Sequence, residues 1–109
     1  MEAVDKILSK ALDTIWAKHE AIAGNIANSD TPGYVRQDVD FQAQVDELLR
    51  NDGEIQNWTA PEPQAQPGVP IKLENETAEL SENTELYDSV ARITSLRMQI
   101  LNASLGSGS

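Results

Sequence analysis

Catalysis needs groups with tuned acidity held together in a cleft. The residues that could supply it are His19, the run Glu74, Glu76, Glu79, Glu82 and Glu85, and the pair Asp38 and Asp40. His19 is the only histidine and there is no cysteine, so a thiolate–imidazole pair, a disulfide and a His/Cys metal site are all excluded. On the apolar seam of a helix a histidine is read as a packed polar residue. The glutamates could form an acid/base set, but a row of this kind is read as the solvated face of a helix. Asp38-Val39-Asp40 starts like a calcium loop, yet the central Gly and terminal Glu are missing at the required spacing. No glycine-rich phosphate cradle is present. Asn57-Trp58-Thr59, Asn75-Glu76-Thr77 and Asn102-Ala103-Ser104 match the glycosylation pattern, which is read as chance because the N-terminus lacks the basic start and apolar stretch of a secretory signal. The residues therefore predict a protein that is not an enzyme, with no cofactor, metal or small-molecule substrate.

Charge narrows the partners. Eight Lys+Arg against 18 Asp+Glu give a net charge of −10. Such a surface repels phosphate backbones, so nucleic acid is not an expected partner. It also keeps a helical subunit soluble before assembly, although acidic surfaces are common in soluble proteins of every kind. No apolar run is long enough to span a bilayer. The expected location is the cytoplasm, or a site reached by export without a cleaved signal.

With 109 residues the chain is one small domain or less. Its apolar residues gather at the two ends, and the middle is poor in them. Residues 1–30 contain a helix over 3–29, in which Leu8, Leu12, Ile15, His19, Ile22 and Ile26 recur at alternating steps of four and three, with Val4, Ile7 and Ala11 widening the face. Gly24 inside it either permits a close approach or bend, or is simply tolerated at about 1 kcal/mol relative to Ala. Asn28-Ser29-Asp30 ends the helix, and Thr31-Pro32-Gly33-Tyr34 fits a type II turn with Gly at the positive-φ position. Residues 31–72 form a connector. Asp38 or Asp40 is placed to cap a short helix of about 41–50, with Phe41, Val45, Leu48 and Leu49 on one face and Asn51-Asp52-Gly53 as its stop. The proline-rich stretch 60–70 reads as an extended or mobile loop, with Val69–Leu73 as a strand candidate.

Residues 73–105 read as the second long helix. Leu73, Thr77, Leu80, Thr84, Tyr87, Ala91, Thr94, Met98, Leu101 and Leu105 alternate in steps of four and three, and Leu86, Val90, Ile93 and Ile100 form a second stripe. One antiparallel partner covers only one stripe, so the other implies further neighbours. The early glutamates and late Arg92 and Arg97 complement the helix dipole. The tail 106–109, Gly-Ser-Gly-Ser, has the composition of a flexible linker. The fold expected is mainly α: two long terminal helices packed as a pair or coiled coil, joined by a short helix and an irregular, partly β, proline-rich segment. Leu8, Leu12, Ile15, Ile22, Ile26, Leu80, Tyr87, Val90, Ile93 and Leu101 are the expected packing residues.

The stretch Asn25-Ile26-Ala27-Asn28-Ser29-Asp30-Thr31-Pro32-Gly33-Tyr34 resembles the N-terminal motif of flagellar rod and hook axial proteins. Arg36-Gln37-Asp38-Val39-Asp40-Phe41 is similar to its continuation in proximal-rod members, and residues 73–83 resemble the start of their C-terminal helix. The chain departs from the pattern at Gly24, at Val35 and in its last residues. The resemblance implies a structural subunit of the basal-body rod, required for flagellum assembly and motility. It implies polymerisation through terminal helices of an axial layer lining a channel, and a location in the periplasm-spanning rod. The implied partners are other rod subunits, the inner-membrane ring or its junction protein, and the type III export apparatus. Asn25, Ile26, Ala27, Asn28, Thr31, Pro32, Gly33, Tyr34, Asp38 and Phe41 are the implied assembly residues. The alternative reading is a soluble acidic helical adaptor or export chaperone.

Overall fold

The computed structural model describes residues 2–50 and 61–107. The apolar periodicity at the chain ends becomes two long helices, α1 (Glu2–Ala27) and α3 (Leu73–Ser107), about 39 and 52 Å long at 1.5 Å per residue. They pack antiparallel: Asp5 meets Arg97, Ile15 meets Asn83 and Asn25 meets Glu76 along the pair. Between them come strand β1 (Gln37–Asp38), helix α2 (Phe41–Arg50) and strand β2 (Gln64–Ala65). β1 and β2 pair antiparallel with Gln37 opposite Ala65 and Asp38 opposite Gln64, and both β1 and α2 lie against α1. The stop expected at 51–53 lies outside the described residues.

The helix boundaries have local causes. At the end of α1, the backbone N–H and side-chain amide of Asn28 both donate to the Gly24 carbonyl, at 3.0 and 2.9 Å, and the Thr31 hydroxyl donates to Asn28 Oδ1 at 3.1 Å. Tyr34 N donates to the Thr31 carbonyl at 3.2 Å and Gly33 has φ +80°, which is the type II turn. Gly24 makes a close approach: a Cβ there would sit 3.2 Å from the Tyr34 hydroxyl. Asp40 caps α2, accepting from Ala43 N at 3.1 Å. Asp38 instead accepts from Val39 N.

The proline-rich segment departs from expectation. Residues 69–73 form no strand: Leu73 opens α3, whose first turn begins with Glu76 N donating to the Lys72 carbonyl at 2.9 Å. The strand lies earlier, at Gln64–Ala65, and a second Pro-Gly turn follows it. Val69 N donates to the Gln66 carbonyl at 3.3 Å, and Gly68 has φ +81°. Pro67, directly after Gln66, has no N–H to give a ladder, and the pairing goes no further than Gln66. Gly106 and Ser107, expected in a flexible tail, continue α3.

The core is thin. Among the described residues its buried apolar members are Ile15, Ala21, Ile22 and Val39, and the buried polar ones, Thr14, Asn25, Glu76 and Asn83, are as numerous. The accessible surface is 7520 Å², against about 5,900 Å² for a compact protein of this mass. The radius of gyration is 17.2 Å, where about 13 Å is usual. The body measures 62 × 27 × 15 Å, one helix pair and its connector thick. Gly33→Val is expected to lower the thermal midpoint, with a cost of about 1–2 kcal/mol, because a side chain resists positive φ. Gly33→Asn should cost less, and equal midpoints for the two variants would contradict the strained turn.

Candidate functional site

The turn after α1 aims the next residues back at the helix pair. Asn25, in the last turn of α1, is completely buried. Its side-chain oxygen accepts from Gln37 N at 2.9 Å and its amide donates to the Gln37 carbonyl at 2.8 Å. A single asparagine thus reads both backbone groups of a strand residue twelve positions on. The same amide donates to Glu76 Oε2 at 3.3 Å. Glu76 is 1% exposed, on the face of α3 that meets α1.

Arg36 completes the cluster. Its Nε donates to Glu76 Oε1 at 2.5 Å, its Nη2 to Glu79 Oε2 at 3.2 Å, and its Nη1 to Gln66 Oε1. Asp38 stands 4.0 Å from Nη1 and also pairs with Lys18 at 3.7 Å. The Arg36 carbonyl accepts from Gln66 N at 2.8 Å, which tethers the β2 segment to the same residue. Burial opposes the guanidinium's charge. The hydrogen bond and charge of Glu76, then Asp38 and Glu79, outweigh it, so the Arg36 pKa lies above its ordinary value. A raised arginine pKa adds stability that is fully present below the ordinary value and is lost only as pH climbs through the folded one. The cation therefore persists at every pH near neutrality.

Burying the Glu76 carboxylate costs several kcal/mol, repaid only where good geometry and added hydrogen bonds surround it. Arg36 and Asn25 supply both. The cluster joins α1, the turn, β1, β2 and α3 at one point. Chemically it is a clamp. Among the described residues no group of three or more His, Asp or Glu side chains could hold a metal ion, and no helix is long and apolar enough to cross a membrane. His19 is half buried and stacked on Trp16, ring centroids 5.1 Å apart.

Of the motif residues, Asn25 enters the clamp. Asn28, Thr31, Pro32, Gly33 and Tyr34 build the turn, and Asp38 flanks Arg36. Ile26 is half buried, Ala27 is exposed, and Phe41 opens α2 facing a groove shared with Lys18. Of the packing residues, Ile15 and Ile22 are fully buried. Leu8, Leu12, Ile26, Leu80, Tyr87, Val90 and Leu101 are half buried, and Ile93 is 50% exposed.

The face of α3 that meets α1 is Glu76, Leu80, Asn83, Tyr87, Val90, Thr94, Arg97 and Leu101, all buried or half buried. Leu73, Thr77, Thr84, Met98 and Leu105, expected on the seam, are exposed. Three of the true seam positions are Glu76, Asn83 and Arg97, so hydrophobicity alone points to a neighbouring row. The glutamate run is a solvated face except at Glu76 and, in part, Glu79. The sequence places Glu76 in a solvated glutamate row and Arg36 in the motif's continuation, and marks neither of them, nor Asn83, as a packing residue. The available signal is that Glu76, Asn83 and Arg97 stand 7 and 14 residues apart, on one four–three row with Leu80, Tyr87, Val90, Thr94 and Leu101.

No protein-family model matches the chain. Individual proteins do, and they are of one class, flagellar basal body rod proteins. They are FlgB of Escherichia coli K12, 34% identical over 46% of this chain and 36% of its own length; FlgB of Proteus mirabilis HI4320, 44% identical over 38% and 31%; and FlgB of Aquifex aeolicus VF5, 40% identical over 32% and 28%. The matched part spans about a third of the length of these curated relatives.

Arg36→Met leaves Glu76 buried without its cation. A loss of about 3–5 kcal/mol is expected, read as a fall in the urea midpoint of the helical circular dichroism signal. The double variant Arg36→Met, Glu76→Leu removes both charges and should recover most of that loss. A double variant no better than the single one would show that the two residues do not compensate each other.

Proposed function

We propose that the chain is a structural subunit of the bacterial flagellar basal-body rod, polymerising through its terminal helices. The observation that carries this reading is the similarity to FlgB rod proteins, at 34–44% identity over the matched segments. The fold supports it. A slab 15 Å thick with a mixed polar and apolar core is poorly suited to stand alone. The free helices are marginally stable, and docking onto a growing assembly buries their surplus apolar side chains and orders them. Leu86, Ile93, Leu96, Met98 and Ile100 of α3 are 42–57% exposed, as is Trp16 of α1 at 50%. The clamp fixes where the connector leaves the helical layer, with Asn25 to Tyr34 as the assembly motif.

On this reading the subunit passes through the flagellar type III export apparatus. It then contacts other rod subunits and the inner-membrane ring or its junction protein, in the rod that crosses the periplasm. An adaptor or export chaperone is the weaker reading, because the matched relatives are rod proteins and such a carrier would be well folded alone.

Deleting the gene in its bacterium should abolish swimming and leave basal bodies with rings but no rods or filaments by electron microscopy, restored by the wild-type gene. Normal rods and swimming in the deletion strain would overturn the rod reading.

A further inference from the structure

Charge and apolar surface are segregated along this chain. All 18 acidic residues lie at or before Asp88, and residues 91–109 carry only Arg92 and Arg97. The same acid-free segment holds the most exposed large apolar side chains, with Leu96 at 55%, Ile100 at 57% and Leu105 at 69%. Asp5 of α1 lies against this end and bonds Arg97, so the molecule is an acidic body with an apolar end on α3 that carries no acidic side chain of its own.

The body offers a complementary surface. A groove runs between α1, α2 and α3. One part, of 190 Å³, is lined by Lys18, Phe41, Glu79, Glu82, Asn83 and Leu86. The other, of 520 Å³, continues past Phe41 and Lys18 to Asp38, Asp40 and Gln42. Phe41 and Leu86 contribute apolar lining, and with Asp38 and Glu79 already paired to Lys18 and Arg36, Asp40 and Glu82 keep the groove net acidic. An engineered cavity of about 150 Å³ admits benzene, so the smaller part has room for a leucine-sized side chain. A neutral-to-cationic apolar helix end fits this lining, and an acidic one does not.

Groove and helix end cannot meet within one molecule. They lie on the same straight helix about 33 Å apart, from Asn83 to Leu105 at 1.5 Å per residue. We propose that the acid-free end of α3, around Leu96 to Leu105, docks into the α1–α2–α3 groove of a second copy of this chain. The contact is heterologous and leaves a free groove and a free end after every addition, so it propagates instead of closing. This rests on the reading of the chain as an assembling subunit and assigns one of its contacts.

The cysteine-free sequence makes the contact directly testable. Single-cysteine full-length chains, Leu105→Cys and Gln42→Cys, are mixed with a short bismaleimide. Gln42 is exposed on the groove lip, and Asp30→Cys on the turn, also exposed, serves as control. The expected product is a Leu105→Cys/Gln42→Cys heterodimer, formed at least tenfold faster than any pairing with the control and than Leu105→Cys with itself. Adding Glu82→Lys to the Gln42→Cys chain should slow it several-fold. Equal rates for groove and control overturn the proposal. Faster Leu105→Cys self-coupling also overturns it, in favour of an end-to-end pair. A deletion strain that cannot swim, combined with no selective crosslink, removes this contact and leaves the rod reading in place. A strain that swims normally removes the rod reading, whatever the crosslink shows.

Discussion

A carboxylate taken out of water must be met by a cation and by donors already in place, or the fold loses several kcal/mol. Glu76 is that carboxylate, and everything that meets it comes from elsewhere in the chain: Arg36 from beyond the turn and Asn25 from the last turn of α1. Satisfying it fixes the register of α3 against α1 and the direction in which the chain leaves α1. It also fixes the position of β1, because the Asn25 side chain is bonded to both backbone groups of Gln37. β2 follows through Arg36, whose carbonyl and guanidinium both reach Gln66. Sliding α3 along α1 by one turn would strand Glu76, and would also break the bond from Asn83 to the Ile15 carbonyl at 2.9 Å. The penalty against wrong registers is therefore larger than the apolar contacts could impose.

That division of labour suits a weakly cored protein. The four buried apolar side chains among the described residues supply little hydrophobic driving force, and the polar seam supplies geometry in its place. Apolar pairing tolerates slippage; a buried asparagine or ion pair on a helix interface does not. The pair is also graded along its length. At the turn end Asn25, Arg36 and Glu76 interlock, whereas near the start of α1 the Asp5–Arg97 bond is half exposed and such pairs contribute little. The ordered end thus presents the connector, and the looser end carries the exposed apolar side chains.

Much of this was legible in the residues. The four–three repeat from Leu8 to Ile26 locates α1 and its buried face, and Pro32-Gly33 locates the first turn. Asp38 or Asp40 marks the start of α2, and the structure makes Asp40 the cap. The same turn chemistry stands at Pro67-Gly68, but a stretch with four prolines reads as an undifferentiated loop, which hides its reversal and the preceding strand. The α3 seam was displaced for a physical reason. Binary patterning assumes that buried means apolar, and Glu76, Asn83 and Arg97 break that assumption on one row. Nothing local distinguishes Glu76 from Glu74 or Glu82; what buries it is a cation forty residues earlier in sequence, brought near by the turn.

The uneven charge of the chain bears on how such a molecule associates. Bodies carrying most of the acidic residues repel one another when aligned side by side, and at physiological salt the repulsion acts over about 8 Å. That distance is short beside the 27 Å width of the body, so repulsion governs only surfaces close to contact. It penalises body-on-body pairing without preventing approach. An acid-free helix end escapes the penalty and carries apolar surface that gains by leaving water. Two such ends could also pair with each other, but that contact would bring together Arg92 of both copies and leave each acidic groove uncovered. Placing the end against an acidic, partly apolar groove relieves like charge on both sides. The electrostatics therefore favour a directional contact over a symmetric one.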